Sequence, residues 1–129
     1  MIGWTFGITA ALYGIACTLF LSLLFRDRPS RIDGWARIIL VLAALSHSAY
    51  TVMEYATLDH TPFQSVHGTF SMVSLLAVIG FLVALLKFRI GVLGALLVPL
   101  TLLFFMGAGL GQTIDPVPDD VRSIILPLH

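Results

Sequence analysis

"IGWTFGITAALYGIACTLFLSLLFRDRPSRIDGWAR", Ile2 to Arg37, decides the class of fold. Residues 2–25 carry no charge, and the residues after them bring Arg26, Arg28, Arg31 and Arg37 into one short segment. At about 1.5 Å of rise per residue, the uncharged part covers roughly 36 Å as a helix, enough for a hydrocarbon core of ~30 Å. Lipid offers the backbone no hydrogen-bond partners, so a spanning segment must be a helix or a strand of a closed barrel. No ten-residue alternation of apolar and polar residues points to a barrel. The stretch therefore reads as a membrane helix that ends at a basic loop. No basic residues precede it, so it does not read as a removable signal peptide.

Composition agrees. Of 129 residues, 58% are hydrophobic and 11% are charged. A water-soluble domain carries about 25% charged residues, and the shortfall leaves too little polar surface to cover a globule. The net charge of zero gives no electrostatic footprint for nucleic acid. Cys17 is the single cysteine, so no internal disulfide forms.

Three further apolar runs follow: Trp35–Tyr55, Phe70–Leu86 (extended outward through His67) and Ile90–Leu110. The expectation is an all-α, polytopic transmembrane bundle in one domain, with spans at 2–25, 35–55, 67–86 and 90–110. Pro99 is expected to kink the fourth helix. Gly3 and Gly7, and Gly107 and Gly111, have the spacing that lets membrane helices approach closely. Of the seven Lys and Arg, six lie in the first and third loops: Arg26, Arg28, Arg31, Arg37, Lys87 and Arg89. A four-span path puts those two loops on one side. The positive-inside rule makes that side cytoplasmic, with the N-terminus and the 56–67 and 111–120 loops outside.

Beyond the fourth span, "DPVPDD" (Asp115–Asp120) is a turn signal, with Asp119 or Asp120 placed to cap a helix that starts near Val121. From there to His129 is about 13 Å of helix, well short of a span. The expectation is a fifth helix, 121–129, interrupted within a longer protein.

Chemistry concentrates on the second helix. His47, Tyr50, Thr51 and Glu54 stand at i, i+3, i+4 and i+7, one helical face, and a polar face turns away from lipid into the bundle. His47 falls near mid-membrane. Its functional reading is a haem or metal ligand or a proton relay; its structural reading is a neutral imidazole bonded to a serine or tyrosine of a neighbouring helix. His67 opens the third helix, and Ser71 and Ser74 follow on its face, where they can meet the stripe of the second helix. His60 lies in the connecting loop and reads as solvated. No Ser/His/Asp set, paired intramembrane carboxylates or CxxC occurs, so nothing points to a hydrolase or a thiol redox enzyme.

The order of "LSHSAYTVMEY" (Leu45–Tyr55), the serine-rich "TPFQSVHGTFSMVSLLAVIGF" (Thr61–Phe81), "LLVPLTLLFF" (Leu96–Phe105) and "VRSIILPLH" (Val121–His129) resembles the N-terminal half of the CcsA/HemX-type cytochrome c assembly proteins. That family has about eight helices and handles haem b, which its CcsA branch presents outside the membrane for attachment to apocytochrome c. The resemblance implies a haem-handling membrane subunit of cytochrome c biogenesis in a bacterial cytoplasmic membrane. Its implied partners are haem, apocytochrome c and other maturation proteins. Ser123, Leu126 and His129 match the spacing of the family's serine-to-histidine segment. His129 then corresponds to an outer axial ligand, and His47 to a histidine of the early membrane helices. His67 is a further candidate at the outer surface. Ile125 stands where that segment usually carries tryptophan, and the family's WGxxWxWD motif does not occur in these residues. Two other readings stay open: a small cytochrome b-like or quinone-linked electron-transfer subunit, and a membrane anchor without a cofactor.

Overall fold

The computed structural model describes residues 2–25, 31–58, 65–88 and 90–111. They form four helices: α1 (Ile2–Leu23), α2 (Arg31–Leu58), α3 (Val66–Lys87) and α4 (Gly91–Gly111). No strand occurs among the described residues. All four helices are long and apolar enough to cross a membrane. The expected class, an all-α bundle of membrane helices, is what the chain forms. The fifth helix at 121–129, the acidic loop before it, His60 and His129 lie outside the described residues.

The helix ends shift in ways that local chemistry explains. α1 stops at Leu23, not at Phe25, because Leu24 and Phe25 turn back to the carbonyls of Leu21 and Ser22 at 3.1 and 3.4 Å. α2 runs beyond the expected 35–55 at both ends, to Arg31 and Leu58. Asp33 sits in its first turn, where a negative charge meets the positive end of the helix dipole. Arg37, one turn on, pairs with Asp33 at 3.1 Å. The expected loop at 56–67 is correspondingly shorter, since 56–58 and 66–67 are helical. Ser65 is the N-cap of α3: its backbone is extended and its hydroxyl accepts from Gly68 N at 3.1 Å. α4 is one continuous helix through Pro99.

The helices form an up-down ring. Side-chain pairs run antiparallel between each pair of neighbours: Phe6 with Tyr50 and Thr9 with Ser46 on α1–α2, Glu54 with His67 and His47 with Ser71 on α2–α3. α4 closes the ring, stacking Phe104 on Phe70 of α3 and Phe105 on Phe6 of α1. The interfaces are unequal. α1–α2 is the most extensive, and α2–α3 is the narrowest of the four. One end of the bundle carries Arg31 and Lys87; the other carries the start of α1 and His67.

Burial is arranged for lipid. Leu96, Leu103, Val52 and Leu76 point outward and exposed, while Thr9, His47, Glu54, Ser71, Ser74 and Thr101 are buried. Tyr13, Phe20, Leu40, Val78, Val98 and Phe105 fill the centre. Polar groups inside and apolar groups outside is the arrangement a hydrocarbon solvent demands.

Of the two GxxxG pairs, Gly3, Gly7 and Gly107 do not mark a close approach. A Cβ at Gly3, Gly7 or Gly107 would meet nothing within 4 Å. Gly94 and Gly109 are the tightest of the described glycines: the rings of Phe20 and Phe81 lie against Gly94, and the ring of Phe6 lies against Gly109. These glycines make room for aromatic side chains of other helices, which the spacing of glycines alone cannot reveal.

Candidate functional site

His47 lies near the middle of α2 and is fully buried. α2 faces it inward because the residues at three- and four-residue steps before and after it, Leu40, Ala43, Ala44, Tyr50 and Glu54, are also buried. Both ring nitrogens are engaged. Tyr13 Oη of α1 is 3.0 Å from Nδ1, and Ser71 Oγ of α3 is 3.0 Å from Nε2. The imidazole thus ties three helices at one level. The fourth wall is aromatic: Phe105 of α4 meets the ring edge to face, with centroids 4.5 Å apart. Tyr13 and Tyr50 close the remaining sides at 5.7 and 6.5 Å. Edge-to-face contacts of this kind suit the quadrupoles of the rings.

A second polar pair stands toward the histidine-bearing end. His67 Nε2 is 3.1 Å from Glu54 Oε1, with side-chain exposures of 23% and 11%. It joins the start of α3 to the last turns of α2. Thr9 and Ser46 make a third contact, 2.7 Å apart between α1 and α2. Thr9 donates its only hydroxyl proton to Thr5 O at 2.8 Å, so Ser46 is the donor to Thr9 Oγ1.

The polar stripe read on α2 is therefore real in part. His47, Tyr50 and Glu54 face inward; Thr51 folds back on its own helix, donating to His47 O at 3.0 Å. Ser71 and His67 of α3 meet His47 and Glu54 of α2, as their shared face suggested. Ser74 is buried and donates to Ser71 O at 2.8 Å. Tyr13 was missed by the reading of the sequence. Its signal was the spacing of Thr9, Tyr13, Ala16 and Phe20, which recur at helical intervals and are all fully buried.

Among the described residues, no three His, Cys, Asp or Glu side chains gather where they could hold a metal ion. His47 has the donor chemistry of a haem ligand: an imidazole in apolar and aromatic surroundings, with a hydroxyl on one nitrogen to orient it. Both nitrogens are hydrogen-bonded and the ring is fully buried among Tyr13, Tyr50 and Phe105, so it presents no open coordination position in this arrangement.

Searches for similar proteins return no family model, no curated protein and no solved structure that matches this chain.

Proposed function

We propose that the chain is the membrane-embedded, haem-handling part of a cytochrome c assembly factor. In this reading it binds haem b without a covalent bond and holds it for transfer to apocytochrome c. The observation that carries the reading is one buried histidine at the centre of an apolar four-helix bundle, hydrogen-bonded to Tyr13 and Ser71. Buried ionisable groups inside membrane bundles mark function more often than packing. The spacing of Ser123, Leu126 and His129 supports the same reading from the sequence, with His129 as the ligand of the presented haem and His67 as a further candidate. The bias of Arg and Lys toward two loops supports an N-terminus outside, and the bacterial cytoplasmic membrane follows from the resemblance. Bound haem supplies the vinyl groups on which the thiols of apocytochrome c form thioether bonds. The chain itself contributes a binding nitrogen, a partner that orients it, and a water-poor interior.

The test is the absorption spectrum of the chain purified in detergent with haem supplied. The expected result is a six-coordinate or five-coordinate histidine spectrum that is lost in His47→Ala. An unchanged spectrum in that variant removes His47 from the ligand set.

A second reading has its own observation. Both nitrogens of His47 are already bonded, which suits a membrane protein without a cofactor in which the histidine ties helices together. It predicts that no haem is retained by the wild-type chain and that His47→Ala changes stability alone.

A further inference from the structure

We propose that the basic end of the α2–α3 seam binds one anionic phospholipid, its phosphate on Arg37 with Lys87 beside it, and an acyl chain laid between the two helices. The inference goes beyond the haem-handling reading and does not depend on it.

The opening is visible along one line of α3. Ser71, Leu75, Leu82 and Leu86 recur at steps of four and seven residues, so they share a helical face, and Ser71 on that face bonds His47 of α2. Exposure rises along the line: Ser71 and Leu75 are buried, Leu82 is half-buried, and Leu86 is 88% exposed. The face that is sealed against α2 at mid-membrane is open at the end that carries Lys87.

The matching line of α2 shows why. It runs from His47 through Ala44, Leu40 and Arg37 to Asp33, again at helical steps. At its start it meets α4: a Cβ on Gly91, the first residue of α4, would stand 3.3 Å from Asp33 Oδ1. The polar contacts that tie α2 to α3, His47 with Ser71 and Glu54 with His67, stand at the middle and at the opposite end. The narrowest interface of the ring is therefore pinned at two levels and opens toward its basic end. In a bilayer the filler is at hand. An acyl chain is as apolar as leucine, and it makes the dispersion contacts with Leu86 that the bundle leaves unmade.

Charge selects the headgroup. Among the described residues this end holds Arg31, Arg37 and Lys87 against Asp33. Arg37 donates Nε and Nη2 to Asp33 at 3.4 and 3.1 Å, which uses two of the five donors of a guanidinium. The pair fixes the direction of the guanidinium and leaves the other donors for phosphate oxygens. Lys87 is exposed and directly follows Leu86, so its long side chain reaches the same headgroup. Trp35, two residues before Arg37 and exposed, marks the level, because an indole settles at the headgroup boundary. Basic pockets between membrane helices are where anionic headgroups bind. Arg31 is a built-in control. It stands six residues before Arg37, so it leaves α2 on another side, yet its removal changes the net charge by the same amount.

The test places the full chain in nanodiscs of equal parts phosphatidylglycerol and phosphatidylcholine and identifies the lipid that it retains by native mass spectrometry. Circular dichroism checks the folding of each variant. The expected result is one phosphatidylglycerol, retained in preference to phosphatidylcholine. Arg37→Gln should cut that retention about fivefold, the weight of one basic side chain at an anionic membrane surface. Lys87→Gln, which leaves the partner of Asp33 in place, should cut it by a similar factor. Arg31→Gln should leave it unchanged. Leu86→Trp keeps every charge and fills the crevice, and should release the lipid as Arg37→Gln does. Inorganic phosphate in the buffer should not displace it. Equal losses in Arg31→Gln and Arg37→Gln overturn the site, because bulk charge then accounts for the retention. Full retention in a folded Leu86→Trp chain overturns the crevice. Displacement by inorganic phosphate, or equal retention of phosphatidylcholine, overturns the choice of ligand. A parent chain that retains no lipid sinks the proposal outright.

Discussion

Two histidines one bundle layer apart are used in opposite ways. His47 is fully buried and bonded to two hydroxyls, neither of which carries a charge at neutral pH. His67 is partly exposed and bonded to a carboxylate. The sequence neighbourhoods do not explain this, since both histidines sit in long apolar helices. Depth explains it. An unpaired charge at mid-membrane is expensive, so a central imidazole is stabilised by neutral donors and acceptors. Near the end of the helices, water and headgroups reduce that penalty, and an ionic partner becomes tolerable.

The sharpest way to break the comparison is to truncate each ring. His47→Ala leaves Tyr13 and Ser71 with unsatisfied hydroxyls and opens a cavity against Phe105, an expected loss of about 2–4 kcal/mol. His67→Ala should lose less, about 1–2 kcal/mol, because the ring removed is partly exposed although it takes a partner from the buried Glu54. Thermal or denaturant unfolding in detergent measures both, and equal losses would end the distinction between the two sites.

Packing can be separated from polarity at the glycines. Gly109→Ala forces a methyl group into the ring of Phe6 and should destabilise by about 1–3 kcal/mol. Gly107→Ala and Gly3→Ala, which meet open space, should fall within about 0.5 kcal/mol of the parent. If Gly107→Ala were the damaging change, close approach at the GxxxG spacing would be restored as the organising contact.

A smaller effect distinguishes the bonds of the two histidines by salt. Raising ionic strength should erode the contribution of Glu54 and His67, read as the difference between the parent and Glu54→Gln. The Tyr13→Phe difference, expected at about 0.5–1.5 kcal/mol, should not respond. A salt-sensitive Tyr13→Phe difference would place charge at the centre of the bundle.

Much of this was legible in the chain itself. Four uncharged or nearly uncharged runs of sufficient length fix the helices, because lipid leaves the backbone no alternative. The inward turn of His47 and Glu54, and the meeting of α2 with Ser71 of α3, follow from helical periodicity and a short connection. What could not be read is which residue of α1 answers Nδ1. Thr5, Thr9 and Tyr13 share a helical face, and only the actual depth and rotation of α1 select the phenol. The tight glycines were misassigned for a related reason: a close approach depends on which aromatic side chain arrives, and Phe6, Phe20 and Phe81 come from other helices. The helix ends moved by a few residues because caps such as Ser65 act through single hydrogen bonds.

The aromatic layer at Gly94 gives the bundle a direction. Phe20 and Phe81, with ring centroids 5.8 Å apart, fill the interior between His47 and the end that carries Arg31 and Lys87. Glu54 and His67 stand toward the opposite end. Among the described residues the buried polar side chains, Thr9, His47, Glu54, Ser71, Ser74 and Thr101, all lie on one side of this layer, so the interior has a polar half and an apolar half along the bundle axis.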